Sequence, residues 1–375
     1  MRYSSALVAA LAAGASATAP MQERADKLFT LEFGPGDVRV VTEDEKFKLR
    51  DEGAHFFDIT EFPEPPVSAR LAAANPFPSK VHHKCAVEEL HAKINLKKIE
   101  EQLVTFSSFH NRYFNSQYGV DAVDWLYAQI REAIKESGNP LATVRYVRHT
   151  AWAQPSLIVS LPGIIRSDTV VLGAHLDSVI SNDRGAGRAP GADDNGSGSL
   201  MLLDTLRVLL SDPRLAEGDH RNTIEWHWYG AEESGLLGSQ DIFTQYRGLG
   251  MVVRGMLNQD MVGYKGRDGV ERFGLVNDFT DPSQNEFMKI LIDEYTDIPY
   301  EETTCGYACS DHASANRNGY PSSFIFETPF GNHNPYIHTP NDTIEHVDFD
   351  HVFQHAKLAT GYLYELAHFN FAAPV

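Results

Sequence analysis

Apolar residues recur along the chain at two spacings, one typical of helices and the other of strands. In the windows 99–106 and 123–134 they are three or four positions apart, which places them on one face of a helix. The second of these helices should end at Gly138, because Pro140 follows and cannot continue it. Residues 169–174 form a continuous apolar run, typical of a central strand that is covered on both faces.

Strand and helix patterns continue to alternate through the rest of the chain. Further strands are predicted at 143–149, 156–163, 224–228, 251–259 and 321–327. Further helices are predicted to begin near 196, 235, 283 and 349. Strands that alternate with helices indicate the α/β class. We therefore expect a single globular domain with a central mixed, mainly parallel sheet flanked by helices.

The first 19 residues have the order of a secretory signal peptide. Arg2 precedes an apolar run at 6–15, and the small residues at 17–19 close it. The run is shorter than the roughly 20 apolar residues that a membrane span requires. We therefore expect residues 1–19 to be removed and the protein to be soluble, secreted and extracellular, with no membrane partner.

Residues 20–77 differ from the rest of the chain in composition. They hold twelve Asp and Glu against seven Lys and Arg, and they end in a proline-rich stretch. A charged segment between a signal peptide and a globular body indicates a propeptide, here with its cleavage site near residues 77–83. An N-terminal arm that stays mobile is the alternative. As a propeptide, the segment would be an intramolecular chaperone or an inhibitor of the globular body at 78–375.

Charge and cysteine content narrow the choice of partners and of compartment. The formal net charge is -19, and such a surface repels phosphate groups, which argues against nucleic acid and anionic membranes. Cys305 and Cys309 are compatible with a small-loop disulfide or with two metal thiolates. A secretory context favours the disulfide. Cys85, the third cysteine, should then be a free thiol.

Residues able to bind metal follow several of the predicted strands. His175 comes directly after the apolar run, the acid pair 193–194 lies in a glycine-rich turn, and the pair 232–233 follows the strand at 224–228. Taken singly, these features have simpler interpretations, namely a chance His-x-Asp, a helix N-cap and a solvated charge pair. Their recurrence at consecutive strand ends favours one shared site, because open α/β sheets bind ligands at that edge.

Two further candidates complete this set. Asp260 ends the strand predicted at 251–259, and His338 lies in a loop near the C-terminus. A single catalytic zinc takes three protein ligands, so two histidines and at least three carboxylates suit two zinc ions better than one. Two ions about 3.5–4 Å apart share a carboxylate and together act on an attacking hydroxide.

Six sequence motifs carry these residues. They are, in order, HLDS, APGADDNGSG, GAEESGLLGSQ, LNQDM, CGYACSDHAS and NPYIHTPNDT. Together they resemble the secreted co-catalytic-zinc leucine aminopeptidases of fungi and bacteria. The resemblance extends from residue 80 to the C-terminus, and the signal peptide and acidic segment before it follow the fungal arrangement.

The resemblance implies a ligand role for five residues. Asp194 corresponds to the ligand that bridges two zinc ions. His175 and Asp260 correspond to the other ligands of one ion, and Glu233 and His338 to those of its neighbour.

Other residues of the motifs correspond to a catalytic group and its surroundings. Glu232 matches the general base, and Asp177 matches the carboxylate partner of His175. The family also has a cis peptide after its bridging aspartate. The bond between Asp194 and Asn195 is therefore expected to be cis.

The resemblance further implies an apolar pocket for the N-terminal side chain of the substrate. Cys305 and Cys309 correspond to a disulfide beside this pocket, and Tyr307 corresponds to a residue that faces the reaction centre. Five apolar residues correspond to the pocket lining: Met261, Phe324, Phe326, Phe330 and Ile337. On sequence alone, these five are more simply explained as core residues.

The expected function is that of a monomeric, secreted metallo-aminopeptidase acting on peptides with a free N-terminus. It would use two zinc ions and Glu232 to remove leucine or other large apolar residues. A zinc carboxypeptidase and a glutaminyl cyclase are the enzyme alternatives. A non-catalytic binding domain is disfavoured, because every ligand position and the base are present. Asn195 and Asn341 begin glycosylation sequons, and we expect Asn195 to be unmodified because a glycan there would block the metals.

Overall fold

The computed structural model describes residues 27–34, 36–52, 54, 56–62 and 77–372, so the predicted signal peptide lies outside the described residues. Ahead of the body, the chain forms β1 (Leu28–Gly34), β2 (Asp37–Thr42), α1 (Glu43–Asp51) and β3 (Phe57–Asp58). The three strands pair antiparallel in the order β2-β1-β3. We call the described residues between 27 and 62 the N-terminal unit.

A larger sheet forms the centre of the body, with eight strands in the described part of the chain. These strands are β4 (Thr143–Val147), β5 (Ser156–Leu161), β6 (Ile165–His175), β7 (Asn222–Tyr229), β8 (Val252–Asn258), β9 (Phe273–Val276), β10 (Tyr300–Thr303) and β11 (Ser322–Phe326). Their spatial order is β10-β9-β11-β8-β6-β7-β5-β4. Strand β6 is parallel to β7 and β8, β8 is parallel to β11, and β9 is parallel to β10, whereas the remaining neighbours are antiparallel. The predicted mixed, mainly parallel sheet is confirmed.

Helices flank this sheet on both faces. They are α2 (Lys84–His91), α3 (Leu96–Phe106), α4 (Gln117–Ser137), α5 (Gly198–Leu210), α6 (Pro213–Ala216), α7 (Leu237–Gly248), α8 (Pro282–Tyr295), α9 (His312–Arg317) and α10 (Phe349–His368). Among the described residues, none of these helices combines the length and the apolar character that crossing a membrane would require.

The side chains of β6 alternate between two apolar layers. Val170 and Leu172 belong to the larger cluster, which includes residues of α2, α3, α4, α5, α8 and α10. Val171 points the other way, into a smaller cluster with residues of α7 and α9. Successive residues of a strand face opposite sides of the sheet, so a strand covered by helices on both sides is apolar throughout. This burial explains the continuous apolar run at 169–174.

Three neighbouring parallel strands end at the same edge of the sheet. In β6, Gly173 is paired with His227 of β7 and with Asn258 of β8. The residues that follow these positions therefore emerge side by side. Ligand-binding groups of open α/β sheets lie at this carboxyl edge.

Candidate metal centre

Five side chains from five different segments converge at this edge. His175 is the last residue of β6, and Asp260 follows the end of β8 by two residues. Asp194 lies in a π-helical turn at Ala192–Ser197, and Glu233 lies in a 3₁₀ turn at Glu232–Ser234 after β7. His338 comes from the loop that follows β11. All five residues that the resemblance implied as ligands are brought together.

These five side chains form two groups that share Asp194. One group contains His175, Asp194 and Asp260, and the other contains Asp194, Glu233 and His338. Nε2 of His175 is 3.1 Å from Oδ1 of Asp194 and 3.2 Å from Oδ1 of Asp260. Nε2 of His338 is 3.0 Å from Oδ2 of Asp194 and 3.1 Å from Oε2 of Glu233. Each oxygen of Asp194 therefore faces a different group, as a carboxylate that bridges two cations would.

The donor atoms suit a pair of zinc ions. Imidazole nitrogens and carboxylate oxygens are usual zinc ligands, and each group offers three of them, as a catalytic zinc site does. Oε1 of Glu233 is buried and has no hydrogen-bond partner among the described residues. A buried carboxylate oxygen without a partner is costly, and a metal ion would satisfy it.

Electrostatic attraction within the cluster offsets the cost of burying charge. Burial disfavours the imidazolium of His175, but the carboxylates of Asp260 and Glu232 outweigh this effect and raise its pKa well above the ordinary value. Burial also opposes ionisation of Asp194, yet hydrogen bonds from His175 and His338 hold the pKa of this carboxyl well below its usual range. The carboxylate of Asp194 is thus stabilised by positive charge on both of its sides.

Buried carboxylates outside the five candidate ligands form hydrogen bonds with the loops that carry them. Asp177 accepts hydrogen bonds from the backbone N–H groups of Glu232 (3.0 Å) and Glu233 (3.2 Å), and it lies 3.4 Å from Nδ1 of His175. Asp342 accepts the backbone N–H groups of Asp193 and Asp194, each at 3.0 Å. Asp177 is one of the residues that the sequence singles out, whereas Asp342 is not, although it lies in the same motif as His338.

A further contact to Asp260 was not predicted. The hydroxyl of Ser310 donates a hydrogen bond of 2.6 Å to Oδ2 of Asp260, which leaves Oδ1 directed toward His175. Ser310 lies within the motif CGYACSDHAS, so its position in that motif is the signal that could have identified it.

The turn that carries Asp194 has the predicted backbone. The peptide bond between Asp194 and Asn195 is cis, as the resemblance implied. The amide of Asn195 is fully buried: Nδ2 donates to the carbonyl of Gln259, and Oδ1 accepts from the N–H groups of Gly198 and Met261. Both ends of this side chain are therefore already used within the fold.

Left-handed backbone conformations also cluster around the site. Ala231, Met261 and His338 have φ values of 59°, 58° and 56°, a region that favours glycine. Such conformations are held in place by surrounding contacts and concentrate at functional sites. One of these residues is a candidate ligand, and the other two directly flank candidate catalytic or ligand residues.

A cavity of about 300 Å³ opens beside the candidate ligands. Glu232 lines it together with Asp194, Glu233, Asp260 and His338. Glu232 is buried, and burial together with the negative charges of Glu233 and Asp260 raises its pKa well above the ordinary value, despite the opposing effect of His175. A carboxyl group with a raised pKa is suited to accept and return a proton near neutral pH.

A large part of the cavity lining is apolar. It includes Tyr307 and Cys309 and all five residues assigned to the pocket: Met261, Phe324, Phe326, Phe330 and Ile337. The five also form one apolar cluster with the disulfide, so they pack as core residues and line the cavity at the same time. Cys305 and Cys309 form the predicted disulfide, and Cys85 is free and exposed, as expected.

The N-terminal unit closes one side of this cavity. Arg50, Ala54 and Phe56 line it, and Nη2 of Arg50 is 3.4 Å from Oε2 of Glu233. Lys46 forms a buried ion pair with Asp58 and donates a hydrogen bond of 2.9 Å to the carbonyl of Ser234. The unit therefore contacts the same 3₁₀ turn that carries Glu232 and Glu233.

Comparison with known protein families agrees with this arrangement. The sequence model of peptidase family M28 matches residues 156–363, which is more than half of the chain. The chain belongs to peptidase family M28. The resemblance drawn from the six motifs is confirmed, and the candidate metal ligands, from His175 to His338, lie within the part that matches M28.

Similar M28 proteins cover nearly the whole chain. Leucine aminopeptidase 1 of Trichophyton equinum is 45% identical over 376 residues, which cover 96% of this chain and 99% of the relative. Leucine aminopeptidase 1 of Neurospora crassa is 45% identical over 359 residues, with coverage of 94% and 89%. The crystal structure of the LapA aminopeptidase of Legionella pneumophila has a TM-score of 0.79 at 28% identity, covering 91% of this chain and 94% of that one.

Proposed function

We propose that this M28 peptidase is a two-zinc aminopeptidase that removes leucine and other large apolar residues from the free N-termini of peptides. The observation that carries the proposal is the position of Asp194 between the two ligand groups. His175 and Asp260 would complete one zinc site, and Glu233 and His338 the other. When bound, the two zinc ions would activate a water molecule and polarise the scissile carbonyl group.

Glu232 is the general base in this proposal. Its carboxyl group faces the cavity beside the ligands, is buried, and has a raised pKa. It would take the proton from the attacking water and deliver it to the amine that leaves. Asp177 would hold the tautomer and orientation of His175, because metal-bound imidazoles usually direct their second nitrogen to a carboxylate.

The cavity supports specificity for an apolar N-terminal residue. Its apolar lining would accept the side chain, and the scissile bond would then be near Glu232 and the candidate ligands. Apolar pockets discriminate only modestly between similar aliphatic side chains. We therefore expect leucine, methionine and phenylalanine to be accepted in preference to charged residues.

A substrate comparison tests this function. The processed enzyme should hydrolyse leucine p-nitroanilide but not the N-acetylated form, and zinc analysis should find two ions per chain. Release of C-terminal residues would indicate a carboxypeptidase, and cyclisation of N-terminal glutamine would indicate a glutaminyl cyclase. A protein that takes up no zinc and cleaves neither substrate would be a binding domain.

The N-terminal unit fits the role of an inhibitory propeptide within residues 20–77. Arg50 and Phe56 lie in the cavity where the substrate would bind. Phe77, the last residue of the predicted propeptide, instead packs in the core against Phe287, and the N–H groups of His82 and His83 bond to the carboxylate of Glu365. These contacts support cleavage before Phe77, upstream of the region that the sequence suggested.

Secretion and glycosylation complete the proposal. The signal-like residues 1–19 would direct the chain out of the cell. Asn341 is exposed, so it can carry a glycan, whereas the buried amide of Asn195 makes three hydrogen bonds within the fold. A glycopeptide containing Asn195 would contradict the proposed site.

A further inference from the structure

Arg112 is a fully buried arginine in the segment between α3 and α4. Its guanidinium group donates three hydrogen bonds to backbone carbonyls: Nε to Leu176 (2.8 Å), Nη1 to Pro190 (2.5 Å) and Nη2 to Gly191 (2.7 Å). Its Cζ lies 4.3 Å from the centre of the Phe106 ring. Among the described residues, no carboxylate lies within ion-pair distance of this guanidinium.

The three carbonyl groups belong to the two loops that carry candidate ligands. Leu176 directly follows His175, and Pro190 and Gly191 lead into the turn that carries Asp194. The guanidinium is planar and presents its donors in a fixed fork, so three simultaneous bonds fix the distance between the two loops. The three bonds therefore connect the residue after His175 to the residues that precede the turn of Asp194.

Gly191 shows how closely the guanidinium approaches the second loop. Gly191 has a φ of +52°, and a Cβ atom added there would lie 2.5 Å from the carbonyl oxygen of Asp194, 2.6 Å from Cβ of Ser178 and 2.7 Å from Nη2 of Arg112. A contact that close would displace the guanidinium or the loop. Glycine at 191 therefore permits the contact that Arg112 makes with the turn of Asp194.

The charge of Arg112 is balanced at a distance. Burial lowers the pKa of Arg112 to about 10, and attraction to Asp342, Asp177, Asp194 and Glu233 opposes this shift. The group therefore remains a cation at neutral pH. Burying a cation without a direct ion pair is costly, and here three hydrogen bonds to carbonyl groups and the attraction of the nearby carboxylates offset that cost.

We propose that Arg112 is a positioning residue that holds His175 and Asp194 at metal-binding distance before any metal arrives. It contacts neither the metal positions nor the cavity, so its effect is exerted through the two loops. The inference rests on the proposed function for the identity of the metal. Its test therefore measures zinc binding. Peptide hydrolysis, which tests the proposed function, is measured in a separate assay.

Replacement of Arg112 by lysine isolates the geometric contribution. The ammonium group keeps the charge, so the attraction of the site for zinc is preserved, but it cannot reproduce a three-bond planar fork. In the full-length chain, stripped of metal and titrated with zinc by calorimetry, Arg112→Lys should weaken binding on the order of tenfold, as loss of ligand-orienting contacts does. The rise of the thermal midpoint on adding zinc should shrink accordingly.

Arg207→Lys is the matched control. Arg207 is a largely buried arginine of α5, and its nearest carboxylate among the described residues is that of Asp204 at 3.9 Å, away from the ligand loops. This variant should lower the thermal midpoint with and without zinc by the same amount and leave zinc affinity unchanged. The same behaviour in Arg112→Lys would overturn the proposal, because it would show a structural role alone.

The uncharged variant Arg112→Gln separates the effect of charge on zinc binding from the effect of geometry. Loss of positive charge in Arg112→Gln would by itself strengthen zinc binding, so weaker binding in this variant must come from lost geometry. If the variants fold only in the presence of zinc, they should need a higher zinc concentration to fold than the wild-type protein needs.

Variants that fail to fold at every zinc concentration would count against the proposal. Wild-type protein that binds zinc but cleaves no peptide would refute the proposed function without affecting this test.

Discussion

Glu232 and Glu233 are neighbours in sequence but have different surroundings. Burial raises the pKa of Glu233 as well, but the imidazole of His338, 3.1 Å from Oε2 of Glu233, opposes that rise within a ligand group. Glu232 belongs to neither ligand group and faces the cavity with a pKa that burial raises well above the ordinary value. Adjacent carboxyl groups whose surroundings differ in this way can take separate roles, one as ligand and one as base.

Replacing Glu232 by glutamine tests this division. The variant keeps the shape of the side chain but cannot accept a proton, so turnover of leucine p-nitroanilide should fall by about 10²–10⁴-fold. Zinc content should remain that of the wild type. The comparison variant Glu233→Gln should instead lose zinc. Wild-type turnover in Glu232→Gln would refute the base assignment.

The role of a single residue can be predicted from the sequence only where neighbouring residues in the chain signal that role. His175, Asp194 and Asp260 each follow a strand-like or glycine-rich run, and it is their recurrence at successive strand ends, together with the family motifs, that indicates ligands. Arg112 carries no such signal, because its role depends on three carbonyl groups more than 60 residues away in sequence. Contacts of this kind arise only once the chain has folded.

At the scale of elements, helix boundaries follow local signals closely. Helix α4 begins after Ser116, whose hydroxyl accepts the N–H of Gly119, and it ends at Gly138, where φ is 66°. The short strands β9 and β10 were not predicted. Four residues give too little periodicity, and β10 is a partly exposed edge strand that depends on pairing with β9. The strands of the N-terminal unit were also not predicted, although β1 and β2 each contain a single acidic residue and several aromatic or β-branched ones, which favour strands.

The end of α4 allows a direct stability test. Nothing lies within 4 Å of a Cβ added at Gly138, so alanine there would introduce only the backbone cost of a left-handed conformation. Gly138→Ala should destabilise the protein by about 1 kcal/mol. Gly248→Ala, at an equally open position inside α7 without positive φ, should stabilise it by about 0.5 kcal/mol. Chemical denaturation of the two variants should give changes of opposite sign, and equal changes would contradict the argument.

At the scale of the whole molecule, the N-terminal unit and the body share one cavity. Gln240 of α7 donates a hydrogen bond to the carbonyl of Asp58, and Arg317 of α9 pairs with Glu32 at 2.6 Å. Together with the buried pair of Lys46 and Asp58, these contacts fasten the unit over the candidate centre. The uncleaved chain should therefore have a restricted active site.

Arg50 gives a way to measure that restriction. In the uncleaved chain, Arg50→Gln should raise the rate of leucine p-nitroanilide hydrolysis on the order of tenfold. That ratio corresponds to a loss of about 1.4 kcal/mol from the free energy with which the N-terminal unit binds the body. Lys48→Gln is the control, because Lys48 lies on the same helix with its side chain 73% exposed, and it should change nothing. An uncleaved wild-type chain as active as the processed enzyme would exclude inhibition. N-terminal sequencing of that enzyme should find a start between residues 63 and 77.

The five candidate ligands differ in their access to solvent. The side chain of His338 is 34% exposed, whereas that of His175 is 1% exposed. In the proposed two-zinc enzyme without its N-terminal unit, a chelator should therefore reach the ion held by His338 first. It should extract the two ions in separate kinetic phases, and a single exponential would contradict this order. Brief chelation followed by addition of cobalt would then yield a hybrid enzyme with a different element at each position.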